Sequence, residues 1–129
     1  MYSGRPMTEP KPSVLIVEDD PSIAQLYALK LRMDGFRVDI ATDAATAEVM
    51  FERGKPNVVC VDSRLPDAPG TTVVERMAAH GARVIMLTND QEIYESPPPG
   101  VRTLLKWRTT PAELSEKLAA LVAAETRSS

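Results

Sequence analysis

Four apolar runs in this chain end on polar side chains of the kind that phosphate chemistry needs. Val14–Val17 runs into Glu18, Asp19 and Asp20, and Val58–Val61 stops on Asp62. Val84–Leu87 stops on Thr88, and Val101–Leu105 stops on Lys106. Carboxylates held together repel one another and raise at least one pKa unless a cation is present. A hard divalent ion such as Mg²⁺ (or Mn²⁺) resolves the conflict with oxygen ligands. In such a site an ionised Asp can attack phosphorus and become an acyl phosphate. A lysine ammonium then neutralises charge on the transferring oxygens, and a threonine hydroxyl donates a hydrogen bond to one of them.

The elements that must position these groups follow from the pattern between them. Short apolar runs separated by helical periodicity read as strands of a parallel sheet, and ligands bind beyond the carboxyl ends of such strands. Phe36 to Ala41 alternates and supplies a further strand. Asp20-Pro21 opens a helix carrying Ile23, Leu26, Tyr27 and Leu31, which Gly35 closes. Thr42 or Asp43 caps a second helix that Gly54 stops, and Thr71 or Thr72 opens a third that ends near Gly81. Thr110-Pro111 starts the last helix, with Leu114, Leu118, Leu121 and Val122 on one face. Between Asn89 and Ser96 there is room for two helical turns at most before Pro97-Pro98-Pro99. The alternation predicts an α/β fold with right-handed crossovers. Its expected form is a flavodoxin-like, doubly wound sheet of five parallel strands in order 2-1-3-4-5, with the fourth helix short or missing. Strands 1 and 3 then flank the switch point, where Glu18, Asp19 and Asp62 meet.

The bulk numbers set the frame. The chain has 129 residues, 43% apolar and 26% charged, which suits one soluble domain with a single core. A net charge of −3 gives no general pull towards nucleic acid or an anionic membrane. No run approaches the roughly 20 apolar residues of a membrane helix, and no signal-peptide pattern opens the chain. Residues 1–12 carry prolines without apolar periodicity and read as a flexible arm; 13–125 read as the domain and 126–129 as a frayed tail. Cys60 is the one cysteine, which excludes an internal disulfide and fits a reducing cytoplasm. It sits among valines as a core residue, whereas His80, beside Gly81, reads as solvated.

Taken together, these residues resemble the receiver domain of two-component response regulators. The resemblance rests on Val14-Leu15-Ile16-Val17-Glu18-Asp19-Asp20-Pro21, on Pro56-Asn57 through Asp62 to Gly70, on Met86-Leu87-Thr88, and on Lys106. It implies that Asp62 accepts a phosphoryl group from a histidine kinase or phosphotransfer protein. It further implies that Glu18 and Asp19 hold Mg²⁺ with Asp62 and the backbone carbonyl of Arg64, while Thr88 and Lys106 bind the phosphoryl oxygens. Such a protein is a phosphoacceptor and not a turnover enzyme, and a cytoplasmic monomer or weak dimer is expected. Asp20 reads as a helix cap rather than a ligand.

Departures from that family's pattern cluster after Thr88. The residue following the threonine is usually small, and here it is Asn89. The aromatic residue expected three positions before the lysine is Thr103, and the proline expected after the lysine is Trp107. A cis bond before a non-proline residue costs about 2.5–4 kcal/mol, so this loop is expected to be trans. Arg64 and Asp90 fall at the positions that flank the phosphate, and an ion pair between them is expected across the site mouth.

Three function classes compete. The first is a stand-alone receiver that signals by docking to a downstream protein, since the chain ends shortly after its last helix. The second is a pseudo-receiver, an interaction module that keeps the fold without switching by phosphorylation. The third is a phosphohydrolase of the haloacid dehalogenase type, which needs a second Asp two residues after the nucleophile, where this chain has Arg64. A dinucleotide site is disfavoured, because no glycine-rich loop follows the first strand.

Overall fold

The computed structural model describes residues 11–128, and the expected N-terminal arm falls outside them as far as residue 10. Five strands are present: β1 (Ser13–Val17), β2 (Arg37–Ala41), β3 (Val58–Asp62), β4 (Arg83–Thr88) and β5 (Val101–Leu105). All pair in parallel, in the order β2-β1-β3-β4-β5, as the alternation predicts. The helices are α1 (Pro21–Met33), α2 (Ala44–Gly54), α3 (Gly70–Ala79), α4 (Gln91–Glu95) and α5 (Pro111–Ser128). The fourth helix is therefore present but short, at five residues.

Strand alternation divides the core between the two faces of the sheet. Val14, Ile16, Val58, Cys60, Ile85 and Leu87 pack with Tyr27 and Leu31 of α1 and with Leu114 and Leu118 of α5. Their neighbours Leu15, Val17, Val59, Val61, Val84 and Met86 pack with Ala47 of α2 and with Val73, Val74 and Met77 of α3. Each fully buried aliphatic side chain contributes roughly 1.5–3 kcal/mol, and a slip of one residue would exchange the two faces. The register that carries each strand to its polar end is thus fixed by the core.

Helix ends show which sequence signals dominate. Asp20 caps α1, accepting from the N–H groups of Ser22 at 2.9 Å and Ile23 at 3.3 Å. Asp43, not Thr42, caps α2 by accepting from Thr46 N–H at 2.7 Å. Gly54 ends that helix, but the left-handed residue is Lys55, with φ 44°. Neither Thr71 nor Thr72 caps α3; it begins at Gly70, whose N–H donates to Ser63 O at 2.9 Å. The loop backbone supplies what a capping side chain would have done. Thr110 and Glu113 form a reciprocal capping box at the start of α5. That helix runs to Ser128, because alanine-rich sequence after Leu118 offers no glycine or proline to stop it.

Candidate functional site

Alternation delivers the charged groups to one side of the sheet edge. Glu18 continues the series of Val14 and Ile16, and Asp62 continues that of Val58 and Cys60; both series face α1 and α5. Leu104 packs on the same side, two residues before Lys106. The three side chains meet there. Lys106 Nζ donates to Asp62 Oδ2 at 2.7 Å and lies 2.8 Å from Glu18 Oε1. The carboxylates of Glu18, Asp19 and Asp62 approach within 4.8 Å of one another. Glu18 and Asp62 are buried, at 2% and 6% exposure, whereas Asp19 opens to solvent.

The electrostatics follow from this crowding. Burial pushes the Glu18 carboxyl up to about 7; Lys106 and the Asp20 N–H pull it down, and the Asp62 charge adds to the rise. Burial works against the Lys106 ammonium, yet its hydrogen bond to Asp62 and its ion pair with Glu18 outweigh that and hold its pKa above the usual lysine value. Glu18 Oε2 accepts from Asp20 N–H at 3.1 Å. Its other oxygen touches Lys106 without the alignment of a hydrogen bond, and so lacks a directed donor although buried. A buried carboxylate oxygen with no directed donor, gathered with two further carboxylates, suits a hard divalent cation, which needs oxygen ligands and favours the ionised form. The donor set thus fits Mg²⁺.

The remaining sequence-derived residues have mixed placements. Arg64 N–H donates to Asp62 Oδ1 at 3.1 Å, so its backbone lines the site. Its expected ion pair with Asp90 does not form among the described residues. Asp90 instead caps α4, accepting from Glu92 N–H at 3.0 Å and Ile93 N–H at 3.3 Å. Orphan helix donors two and three residues away win over an exposed arginine whose pairing is worth at most about 1 kcal/mol. Thr88 lies at the same sheet edge, paired in register with Leu105, but its hydroxyl is engaged elsewhere. Thr88 Oγ1 accepts from Ser63 Oγ at 2.8 Å and from Asp90 N–H at 3.0 Å.

The segment around Trp107 is rebuilt as the sequence suggests. Lys106–Arg108 forms a 3-10 turn, and its peptide bonds are trans. Asn89 Oδ1 accepts from Trp107 N–H at 3.1 Å and ties the two loops together. The Trp107 ring is 78% exposed beside the site. Thr103 Oγ1 donates to Tyr94 O at 3.1 Å, pinning α4 to β5. His80 is exposed at the end of α3, with Nδ1 2.8 Å from Arg76 O.

Three contributors escaped the sequence reading. Ser63, in the loop after β3, bonds Thr88 across the sheet edge. Asp67 spans from the β3–α3 loop to the start of α2, accepting from Ala44 N–H at 2.8 Å and Ala45 N–H at 3.0 Å. Those bonds hold its carboxyl below the usual range. Gly70 passes so close to β3 that a Cβ there would stand 2.1 Å from Asp62 O. Only the run of turn residues between Asp62 and Gly70 hinted at any of this.

Comparison with known proteins decides the family. The model of the response regulator receiver domain matches residues 14–117. The chain belongs to this family. The receiver is 41% identical over 83 residues to the sensory transduction protein RegX3 of Mycobacterium tuberculosis, an alignment covering 63% of this chain and 37% of that protein. It is 33% identical over 87 residues to the probable transcriptional regulatory protein TcrX of the same organism, covering 66% and 35%. The receiver thus spans little more than a third of the length of these curated relatives. Among solved structures, the signal receiver domain of a putative Luxo repressor protein from Vibrio parahaemolyticus superposes with TM-score 0.83 at 23% identity, covering 92% of this chain and 95% of that one. The response regulator TrrA of Thermotoga maritima, in complex with Mg²⁺-BeF, gives 0.77 at 24%, covering 85% and 98%. Both support the fold. No helix among the described residues is long and apolar enough to cross a membrane.

Proposed function

We propose that this receiver, as a domain spanning about 13–125, accepts a phosphoryl group on Asp62 from the phosphohistidine of a kinase or phosphotransfer protein. The observation that carries the reading is the convergence of Glu18, Asp19, Asp62 and Lys106, with Asp62 Oδ2 2.7 Å from the ammonium. A carboxylate oxygen of Asp62 forms the new P–O bond as the donor's P–N bond breaks, and the imidazole leaves carrying a proton. Lys106 neutralises charge gathering on the phosphoryl oxygens, and Thr88 donates to one of them. Glu18, Asp19, Asp62 and the Arg64 carbonyl would hold Mg²⁺ (or Mn²⁺), which supplies further neutralisation of the phosphoryl oxygens when bound. TrrA of Thermotoga maritima, which shares the fold, was solved in complex with Mg²⁺-BeF. In this reading the protein acts in the cytoplasm as a monomer or weak dimer and signals by contact with a downstream protein.

A specific observation favours a second reading. The five-residue α4 and the Thr103 bond to Tyr94 O occupy the region through which a receiver's aromatic residue reports phosphorylation. A pseudo-receiver would use that surface without switching. Incubation with acetyl phosphate and Mg²⁺ separates the two readings. Stoichiometric labelling that chelation prevents and Asp62→Ala abolishes supports the phosphoacceptor; an unlabelled wild type leaves the pseudo-receiver.

A further inference from the structure

The hydroxyl proposed to meet the phosphoryl group begins on the wrong side of the sheet. On β4, Ile85 and Leu87 face α1 and α5, whereas Val84 and Met86 face α2 and α3. Thr88 continues the second series. On β3, Asp62 continues the series of Val58 and Cys60, and Ser63 continues that of Val59 and Val61. Strand alternation therefore sends Ser63 and Thr88 towards α2 and α3, away from the face on which Asp62, Glu18 and Lys106 meet. Exposure agrees. Thr88 is 0% exposed, so its hydroxyl is shut off from the solvent that reaches Asp19.

Ser63 is built to hold it there. Its N–H donates to Leu87 O at 2.9 Å and its carbonyl accepts from Gly70 N–H at 2.9 Å, which fixes the backbone between β4 and the start of α3. From that fixed position Ser63 Oγ donates to Thr88 Oγ1 at 2.8 Å, while Asp90 N–H donates to the same oxygen at 3.0 Å. For Thr88 to donate to a phosphoryl oxygen on Asp62 it must turn, and turning breaks the bond to Ser63. Ser63 would then be left with a buried hydroxyl and no partner.

The geometry points to Ser63 as a positioning residue, a latch that holds the Thr88 hydroxyl away from the acceptor and sets how tightly the site takes a phosphoryl group. The inference rests on Asp62 and Thr88 being the acceptor and its hydroxyl partner. Ser63 touches neither metal nor phosphate in this role and acts only through Thr88.

Titration of the full chain with beryllofluoride in saturating Mg²⁺, followed by calorimetry, tests it. Ser63→Ala removes the latch and should tighten binding of this phosphoryl mimic by about two- to tenfold, the worth of one neutral hydrogen bond. Mg²⁺ alone should bind both proteins equally. In a Thr88→Ala background the same change should have no effect, because no hydroxyl remains to release. Ser63→Cys keeps the unbranched shape with a much weaker donor and should tighten binding likewise if the alanine variant does not fold. Unchanged or weaker binding in the single variants, or tightening that persists without the Thr88 hydroxyl, overturns the latch while leaving Asp62 as acceptor. Absence of binding to the wild type overturns both.

Discussion

Gly70→Ala is a demanding test of how the β3–α3 loop holds Asp62. Gly70 opens α3 and does not have a positive φ, so backbone conformation alone would reward alanine by up to about 1 kcal/mol. The surroundings reverse the sign. A Cβ would stand 2.1 Å from Asp62 O and 2.7 Å from Ser63 Cα, both backbone atoms that no side-chain rotation can clear. The loop must retreat by roughly 1 Å, which strains the Gly70 N–H bond to Ser63 O and the bridge between Arg64 and Pro69. Overpacking costs about 1–3 kcal/mol and a lost hydrogen bond about 1 kcal/mol. After subtracting the helix gain, destabilisation of about 1–3 kcal/mol remains. For a domain of this size that lowers Tm by several degrees, read by circular dichroism, with a matching fall in the urea midpoint. Gly54→Ala is the control: nothing lies within 4 Å of its Cβ position, and it should stabilise by about 0.5–1 kcal/mol. Acetyl phosphate labelling should slow at least tenfold in Gly70→Ala and remain unchanged in Gly54→Ala. If both variants keep wild-type stability and labelling, the close approach of Gly70 to Asp62 does not govern the site.

Further expectations concern the ion cluster, the helix ends and acid stability. Lys106→Met leaves two buried carboxylates without their cation and should destabilise by about 2 kcal/mol, less than the ~3–5 kcal/mol of a fully buried pair because the ammonium is partly exposed; urea titration would read this, and added Mg²⁺ should restore part of it. Asp90→Ala removes the α4 cap at a cost of about 1 kcal/mol, so the Ile93 amide should exchange faster while amides of β3 do not. Asp34 is held below the usual carboxylate range, chiefly by Ser115 Oγ at 2.6 Å and further by Lys30. A depressed folded pKa contributes stability that is present above the unfolded value near 3.9 and lost as pH falls through the folded one. Asp34 is largely exposed and solvent screens the bond, so Ser115→Ala should cost roughly 0.5 kcal/mol at neutral pH, and the gap to wild type should narrow below about pH 4; a gap independent of pH would contradict the assignment.

The parts of the fold written in local pattern were legible from the sequence. The strands, their order and the caps at Asp20 and Thr110 follow from periodicity and chain chemistry over a few residues. Glu18, Asp19, Asp62 and Lys106 could be brought together because parallel strands send their carboxyl ends to one edge. What escaped depends on which neighbour a polar side chain finds across the fold. Asp90 could pair with Arg64 or cap its own helix, and the nearer donors prevailed. Ser63 differs from any loop serine only through its contact with a threonine 25 residues away. Gly54 ends its helix as the sequence suggests, but the left-handed residue is Lys55, and no local signal in the sequence marks it. The segment from Asn89 to Trp107 was readable as unusual, but the bonds that replace the usual arrangement were not.

The placement of Cys60 turns this strand into its own reporter. The thiol is 1% exposed in β3, the middle strand of the sheet, and burial pushes its pKa up, so little reactive thiolate forms in the folded protein. A thiol reagent can reach it only when α1 and α5 lift from that face of the sheet, and the modification rate then counts openings of this half of the core. Since β3 ends on Asp62, the same clock would run slower whenever metal or phosphoryl mimic binds the strand's end, which converts occupancy of the site into a rate measured at a single sulfur.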